Sequence, residues 1–116
     1  MKLKKLKIEV GSSLRDSLHE FAEIYGKIKR GEQVEPLHKI SFPTFEIYRK
    51  TLSKKRMHLL KVVKKNKFGS IYELAKTLDR DYKNVYDDVK NLRMLGFISK
   101  KELKVTFDKL VMEILV

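Results

Sequence analysis

One stretch, from Ser70 to Lys90, limits the possible folds of this chain more than any other. Ser70 followed three residues later by Glu73 forms a capping box, which predicts the start of a helix. Apolar residues then recur at helical spacing, at Ile71, Leu74, Ala75 and Leu78. The pattern breaks after Leu78, and Asp81 is predicted to cap a second helix. The buried stripe of that helix is predicted to be Tyr82, Val85, Val89 and Leu92.

Two short helices joined by a tight turn are typical of a helix-turn-helix, whose second helix fits the major groove of DNA. The small side chain of Ala75 suits a close crossing of the two helices, where Val85 is expected to meet it. Asp79 stands at the turn position that glycine often takes, and Asp enters left-handed backbone conformations more readily than most residues. The next position, which is often apolar in this motif, is Arg80.

Two more helices are predicted before this motif. They are expected over residues 44–51 and 54–65, with Ser53 as the cap of the second. The inward side of the second is predicted to consist of Met57, Leu59, Leu60 and Val63. The lysines of the same helix are expected to face solvent.

After the motif, Gly96 is predicted to end the second helix. Residues 97–99 and 103–107 are expected to form a hairpin, and Asp108-Lys109 a second turn. The alternation from Leu110 to Val116 predicts a last strand. Helices followed by a two-stranded hairpin are the winged form of the helix-turn-helix, which is therefore the predicted fold.

The chain is predicted to begin with a strand and a helix. Apolar and charged residues alternate over 6–10, which indicates a strand with one buried face. The following helix carries an apolar stripe, with Ser13 as its predicted cap and Gly31 as its predicted stop. The stripe consists of Leu14, Leu18, Phe21, Ala22, Tyr25 and Ile28. The first and last strands are expected to pair either with each other or across a dimer axis, with this helix beside them.

A loop is predicted over residues 32–36, and Ile40 and Phe42 alternate with polar residues as in a short strand. We therefore expect an α+β fold, a winged helix-turn-helix with an N-terminal strand-helix extension. Residues 1–42 would form the extension, available for dimerisation or partner binding. Residues 43–116 would form the DNA-binding domain.

Positive charge is concentrated in the second part of the chain. The net charge is +12. Residues 1–46 carry nine basic and seven acidic side chains, whereas residues 47–116 carry eighteen and eight. No acidic residue lies between Glu46 and Glu73. Such a field attracts polyanions, and its coincidence with a helix-turn-helix favours nucleic acid over a merely solvated lysine-rich surface.

Other classes of protein have little support in the sequence. There is no cysteine, and hence no disulfide framework or thiolate metal site. The N-terminus lacks the apolar run of a signal peptide, and no stretch is apolar for 18 residues, so we expect a cytoplasmic protein without a membrane span. The scattered His19, His38 and His58 lack metal-ligand spacing, so neither a metal nor a cofactor is expected.

A nuclease is the enzymatic alternative, because aspartates are frequent around the motif. Asp79 and Asp81 already have turn and capping roles, and no base or metal constellation accompanies them. The chain has no glycine-rich phosphate loop and no nucleophile elbow. We therefore expect no enzymatic activity.

The outward side of the second helix supplies candidate DNA contacts. Because the start of a recognition helix reaches base edges, Lys83 is expected to donate to guanine O6/N7 and Asn84 to pair with adenine N6/N7. Tyr86 is expected to touch phosphate or a thymine methyl group. Asp87 is unfavourable near phosphate unless it accepts from cytosine N4, and Asp88 unless it pairs with a Lys or Arg. The other predicted contacts are Lys90, Arg93, Ser70, Tyr72, Lys54 and Arg56 in the helices and Lys100, Lys101 and Lys104 on the wing. For any one of these residues, an ordinary solvated position is the alternative.

The most specific run is Asp81-Tyr82-Lys83-Asn84-Val85, followed by Asp88-Val89-Lys90, Leu92 and Leu95-Gly96. Through these residues the chain resembles a family of small prokaryotic winged-helix proteins, common in archaea and described as MarR-like transcriptional regulators. Some members resemble antitoxins encoded beside a small toxin. Similar features at the ends, from Val10-Gly11-Ser12 to Phe107-Asp108, extend the resemblance to nearly the whole chain. Where that family tends to have His-Arg, this chain has Tyr86-Asp87.

The resemblance implies a winged helix-turn-helix fold and DNA-binding regulation. Our main hypothesis is a sequence-specific transcriptional regulator that binds double-stranded DNA as a homodimer. The alternative is an antitoxin-like protein that binds a toxin-like partner through its N-terminal region and autoregulates its operon. Binding of structured RNA by the same basic face is a further alternative.

Overall fold

The structure is a computed structural model, which describes residues 3–11, 14–33 and 39–115. Its elements, in chain order, are β1 (Leu3–Val10), α1 (Leu14–Lys29), β2 (Lys39–Phe42), α2 (Phe45–Thr51), α3 (Lys54–Lys65), α4 (Ile71–Leu78), α5 (Tyr82–Leu95) and β3 (Phe107–Ile114). The described residues thus contain five helices and one three-stranded sheet, and the predicted α+β class is confirmed.

The three strands form a parallel sheet in the order β2-β1-β3. Strand β1 pairs with β2 from Lys7↔Lys39 to Val10↔Phe42, and with β3 from Leu3↔Phe107 onwards. Parallel neighbours need a crossover connection, which α1 provides between β1 and β2. The first and last strands are expected to pair either with each other or across a dimer axis. In the structure they pair with each other, as β1 and β3 of the same chain.

The start of β3 differs from the prediction. The second turn predicted at Asp108-Lys109 is wrong, because both residues lie inside β3 and Lys109 pairs with Lys5. Before β3, the predicted hairpin is reduced to one antiparallel bridge between Ile98 and Val105. The reason is tertiary, since the chain from Phe107 onwards pairs with β1 instead of extending the hairpin.

One hydrophobic core joins the sheet to the helices. The sheet contributes one face, with Leu6, Ile8, Val10 and Phe42. The helices contribute Leu52, Leu59, Leu60, Val63, Leu74, Ala75, Val85, Val89 and Leu92. The inward positions predicted for α3 are confirmed, with Leu59, Leu60 and Val63 buried and Met57 half-buried.

Side-chain caps begin three of the helices, and two of these caps, Ser53 and Ser70, are predicted by the sequence. The hydroxyl of Ser53 accepts from the Arg56 N–H at 3.3 Å, and that of Ser70 accepts from the Glu73 N–H at 3.2 Å. Thr44 caps α2 in the same way. The prediction for Asp81 is wrong in one respect, because this residue occupies the N-cap position of α5 but its side chain makes no capping hydrogen bond. The predicted cap Ser13 lies outside the described residues.

Helix α1 differs most from its predicted environment. Within the described part of the helix, the apolar residues Leu18, Phe21, Tyr25 and Ile28 are exposed. The helix contacts the sheet through another edge, where half-buried Glu20 is ion-paired with Lys39 of β2. The molecule is elongated, with a radius of gyration of 16.4 Å against about 13 Å expected for a compact chain of this length.

Candidate nucleic-acid interface

Helices α4 and α5 pack directly against each other across a three-residue turn. Leu74 and Ala75 are buried on α4, and Val85 is fully buried on α5. Asp79 adopts the left-handed conformation, with φ of 53° and ψ of 49°, as the sequence predicts for the residue in the glycine position. The Arg80 N–H donates to the Ala75 carbonyl at 3.1 Å and closes the end of α4. The turn thus holds α5 in a fixed orientation against α4.

The outward side of α5 carries the residues predicted to read DNA. Lys83, Asn84, Tyr86 and Lys90 are all exposed. Asp87 is exposed between them and shares the face of Lys83 and Lys90, since it lies four residues after one and three before the other. The structure therefore groups two lysines, an amide and a carboxylate on one helical surface.

Tyr82 also belongs to this surface, and its predicted place in the buried stripe is wrong. Its side chain is 48% exposed. Tyr82 lies one helical turn before Tyr86, with the ring centroids 6.1 Å apart, so the two rings share the outward side of α5. The buried stripe begins at Val85 instead.

Behind α5, Asp88 forms an ion-pair network that includes one of the predicted DNA contacts. Its carboxylate accepts from Arg56 Nε at 3.0 Å and from Arg80 Nη2 at 2.7 Å. Arg56 also donates to the Thr51 carbonyl at 2.8 Å, and all three charged side chains are less than 20% exposed. The pairing of Asp88 with an arginine is confirmed. Arg56 is placed inside the helical bundle, where its guanidinium joins α2, α3 and α5.

Two other predicted contacts have structural partners as well. Arg93 is half-buried, and its Nε donates to the Ser99 carbonyl at 2.9 Å, which ties α5 to the bridge segment at residues 98–105. The Ser70 hydroxyl is occupied as the cap of α4, and Glu73 accepts from the Gly69 N–H at 2.9 Å. Tyr72 and Lys54 are exposed.

The predicted wing lysines lie beside a cleft that is not predicted as a site from the sequence. This cleft, of about 760 Å³, separates the C-terminal end of α3 from the bridge segment. We call it the lysine cleft, after its lining residues Lys64, Lys65, Lys67, Lys100 and Lys104. Arg93 adds a sixth positive side chain to the lining of the cleft, and Glu102 is the acidic residue of that lining. Lys101 lines a smaller neighbouring cleft with Lys67, Arg93 and Lys104.

The lysine cleft has a sequence signal that could have been used. Lys64, Lys65 and Lys67 stand in the acid-free stretch between Glu46 and Glu73. In the sequence, that stretch indicates only a general basic field. The structure brings its end together with lysines about 35 residues later in the chain. Concentrated like charges repel each other, and an anion placed among them relieves that repulsion.

Other kinds of site have no counterpart in the part of the chain that the structure describes. There, no three His, Cys, Asp or Glu side chains are grouped closely enough to hold a metal ion. His38 is outside the described residues. Among the described helices, none combines the length and apolar character needed to cross a membrane.

A family comparison covers the region that contains this interface. The HVO_A0114 family model matches residues 51–112, which is more than half of the chain. The chain belongs to the HVO_A0114 family. The matched region runs from the end of α2 into β3 and includes α3, α4, α5 and the lysine cleft, whereas β1 and α1 precede it. No curated protein and no solved structure matches the chain.

Proposed function

We propose that this chain is a sequence-specific transcriptional regulator that binds double-stranded DNA through a winged helix-turn-helix, as in the MarR-like regulators its sequence resembles. One observation carries the proposal. The outward residues Tyr86 and Lys90 of α5 line a groove together with Arg93 and Lys100, and these last two residues also line the lysine cleft. A helix of this kind fits the major groove, while basic side chains beside it fit the phosphate backbone.

Base recognition falls to the first turns of α5. Lys83 can donate to guanine O6 and N7, and Asn84 offers the amide that pairs with adenine N6 and N7. Asp87 shares this face, and a carboxylate there is favourable only where it accepts from a cytosine N4 group. Asp87 would therefore select for cytosine and against sites that place a phosphate near it.

The lysine cleft and the bridge segment supply contacts to the phosphate backbone. In the winged arrangement, the segment around residues 100–104 is the wing that follows the recognition helix. Lys90, Lys100 and Lys101 are exposed and can reach phosphates beside the groove. Arg56, in contrast, is not part of the proposed contact set, because Asp88 and the Thr51 carbonyl already hold its guanidinium. We assign it a structural role under the same proposal.

The direct test begins with selection of duplex DNA from a random pool at a stated salt concentration. The selected site is then titrated with wild-type protein and with the double variant Lys83→Ala/Asn84→Ala. Each good base contact contributes about 1–3 kcal/mol of discrimination, so we expect the variant to lose about 30-fold or more of its preference over random DNA. Its binding to random DNA should change little, because the phosphate contacts remain.

The matched control is Lys109→Ala, which removes an exposed lysine of β3 far along the chain from the motif. It should keep the sequence preference. A double variant that still selects the same site would exclude α5 as the reading helix. Competition with duplex RNA distinguishes DNA binding from the alternative of RNA binding. A transcriptional regulator should prefer DNA at the same salt concentration.

A further inference from the structure

Helix α1 carries a row of large apolar side chains that the described part of the chain leaves exposed. Leu18 is 60% exposed, Phe21 67%, Tyr25 53% and Ile28 60%. Their spacings of three, four and three residues are those of the a and d positions of a coiled coil. A contiguous apolar patch rimmed by polar residues marks an interaction surface on a soluble protein. We call these four residues the α1 stripe.

Helix α1 is attached to the sheet through residues that do not belong to the α1 stripe. Lys39 of β2 is ion-paired with Glu20 of α1 and with Glu9 of β1, the second pair at 3.3 Å. Glu20 is half-buried, and Ile24, which lies one turn later on the same edge of α1, is half-buried as well. Because this edge lies to one side of the α1 stripe, the ion pair between α1 and the sheet does not use the stripe.

We propose that the α1 stripe pairs with the α1 stripe of a second copy of this chain, in an antiparallel arrangement about a two-fold axis near Glu23. The spacing is symmetric about residue 23, with Phe21 and Tyr25 two residues on either side and Leu18 and Ile28 five residues on either side. In an antiparallel pair, Phe21 therefore faces Tyr25 of the partner subunit. Leu18 likewise faces Ile28 of the partner subunit.

The charges of α1 favour the same arrangement. On the two sides of residue 23, residues 14–22 carry two acidic side chains and one basic, whereas residues 24–32 carry three basic and one acidic. An antiparallel pair places the acidic half of each helix beside the basic half of the other, and a parallel pair would place like beside like. Such a self-complementary surface is what a two-fold dimer requires.

The rest of the chain makes α1 the most suitable place for two copies to meet. Residues 47–116 carry a net charge of +10, so two such surfaces repel each other, while residues 1–46 carry only +2. Four partly exposed side chains from each copy would remove roughly 900 Å² from water, on the basis of about 110 Å² each. Stable interfaces bury about 1,200–2,000 Å², so we expect a dimer that dissociates in the micromolar range.

Sedimentation equilibrium, or size-exclusion chromatography with light scattering, tests the pairing. We expect the wild-type chain to be dimeric at about 100 μM, well above a micromolar dissociation constant. The variants Phe21→Glu and Tyr25→Lys should each weaken self-association about 100-fold or more, because each would bury a charge against an aromatic ring. A mixture of the two variants should recover dimers, since Glu would face Lys only in the antiparallel arrangement.

The matched control is Ile114→Glu, which places the same charge at another exposed apolar side chain, 52% accessible on β3. It should remain dimeric. Far-UV circular dichroism and thermal unfolding establish that each variant is folded, because Phe21 and Tyr25 are exposed and their replacement should leave the core intact. A wild-type chain that stays monomeric, or a Phe21→Glu variant that stays dimeric, would overturn the proposal.

Disulfide trapping tests the direction of the helices, and the chain suits it because it contains no cysteine. A mixture of Leu18→Cys and Ile28→Cys variants should form a mixed disulfide dimer under mild oxidation. Leu18→Cys alone should not, because the two copies of residue 18 would lie about 15 Å apart and a disulfide needs Cα atoms within about 7 Å. Rapid cross-linking of Leu18→Cys alone would contradict the antiparallel arrangement. These measurements need no DNA, so their outcome is independent of the proposed function.

Discussion

Asp88 connects three parts of the chain through two arginine side chains. Arg56 comes from α3 and Arg80 from the turn after α4, and both donate to the carboxylate of Asp88 on α5. The three side chains are 14–19% exposed, which leaves little water to replace a lost partner. Arg80 occupies a position of the motif that is often apolar. Its ion pair with Asp88 compensates for the partial burial of its charge there.

We expect Asp88→Ala to lower the free energy of unfolding by about 2–3 kcal/mol. Removing one partner of a buried ion pair costs about 3–5 kcal/mol, and the remaining exposure of these side chains reduces that cost. Urea unfolding at neutral pH measures the change. Asp87→Ala is the matched control, because Asp87 is exposed and its loss should change the free energy of unfolding by less than about 0.5 kcal/mol. Equal effects of the two variants would refute the structural role of Asp88.

At the scale of single elements, Lys39 holds α1 against the sheet. Burial by itself lowers the pKa of Lys39, but its hydrogen bonds and charge interactions with Glu20 and Glu9 outweigh this and leave the pKa raised above its ordinary value of 10.5. The proton is therefore bound more tightly in the folded chain than in the unfolded chain. The resulting stabilisation is present in full below pH 10.5 and is lost as the pH rises through the raised pKa.

We therefore expect the free energy of unfolding to fall above pH 10.5 as Lys39 loses its proton. The decline should be smaller in a Lys39→Met variant, which has no proton to lose at this position. Urea unfolding of both proteins between pH 8 and pH 11.5 makes the comparison. The matched control is Lys29→Met on α1, whose side chain is exposed and lies over the Tyr25 ring. A Lys39→Met variant with the same decline as the wild-type protein would show that Lys39 does not hold α1 through its charge.

The elements also differ in how far the sequence predicts them. Helices α3 and α4 begin at Ser53 and Ser70 as predicted, because a capping hydrogen bond depends only on the next three residues. The stop at Gly96 is equally local, since its φ of 95° is a conformation that other residues rarely adopt. The turn predicted at Asp108-Lys109 is absent, because pairing with β1, about 100 residues earlier, outweighs the local preference of two polar residues.

At the scale of the whole molecule, the lysine cleft brings together positive side chains from two parts of the chain, residues 64–67 and residues 93–104. For the proposed DNA complex, each phosphate contact adds about −0.9 to the slope of log affinity against log salt. We expect Lys65→Ala/Lys67→Ala to make that slope shallower by about 1.8, with little change in sequence preference. Lys64 is left unchanged in this variant, because it also donates to the Asp108 carbonyl. Fluorescence anisotropy between 50 and 300 mM salt, a range of about sixfold, measures the slope.

The matched control removes the same number of charges elsewhere. Lys5 and Lys109 are exposed neighbours on β1 and β3, so Lys5→Ala/Lys109→Ala lowers the net charge equally without touching the lysine cleft. This variant should leave the slope within about 0.5 of the wild-type value, because neither lysine lines the lysine cleft. Equal slopes for the two double variants would mean that net charge, and not the lysine cleft, sets the affinity.

Local chemistry in the sequence determined the helices, the caps at Ser53 and Ser70 and the outward face of α5. Lys83, Asn84, Tyr86 and Lys90 could be predicted as exposed because helical periodicity relates each to a buried neighbour within four residues. Tertiary structure alone decided the sheet, the exposure of Tyr82 and the α1 stripe, and the assembly of the lysine cleft. Strand pairing and burial depend on residues far apart in the chain, and an apolar stripe in the sequence does not say whether its own chain or a second copy covers it.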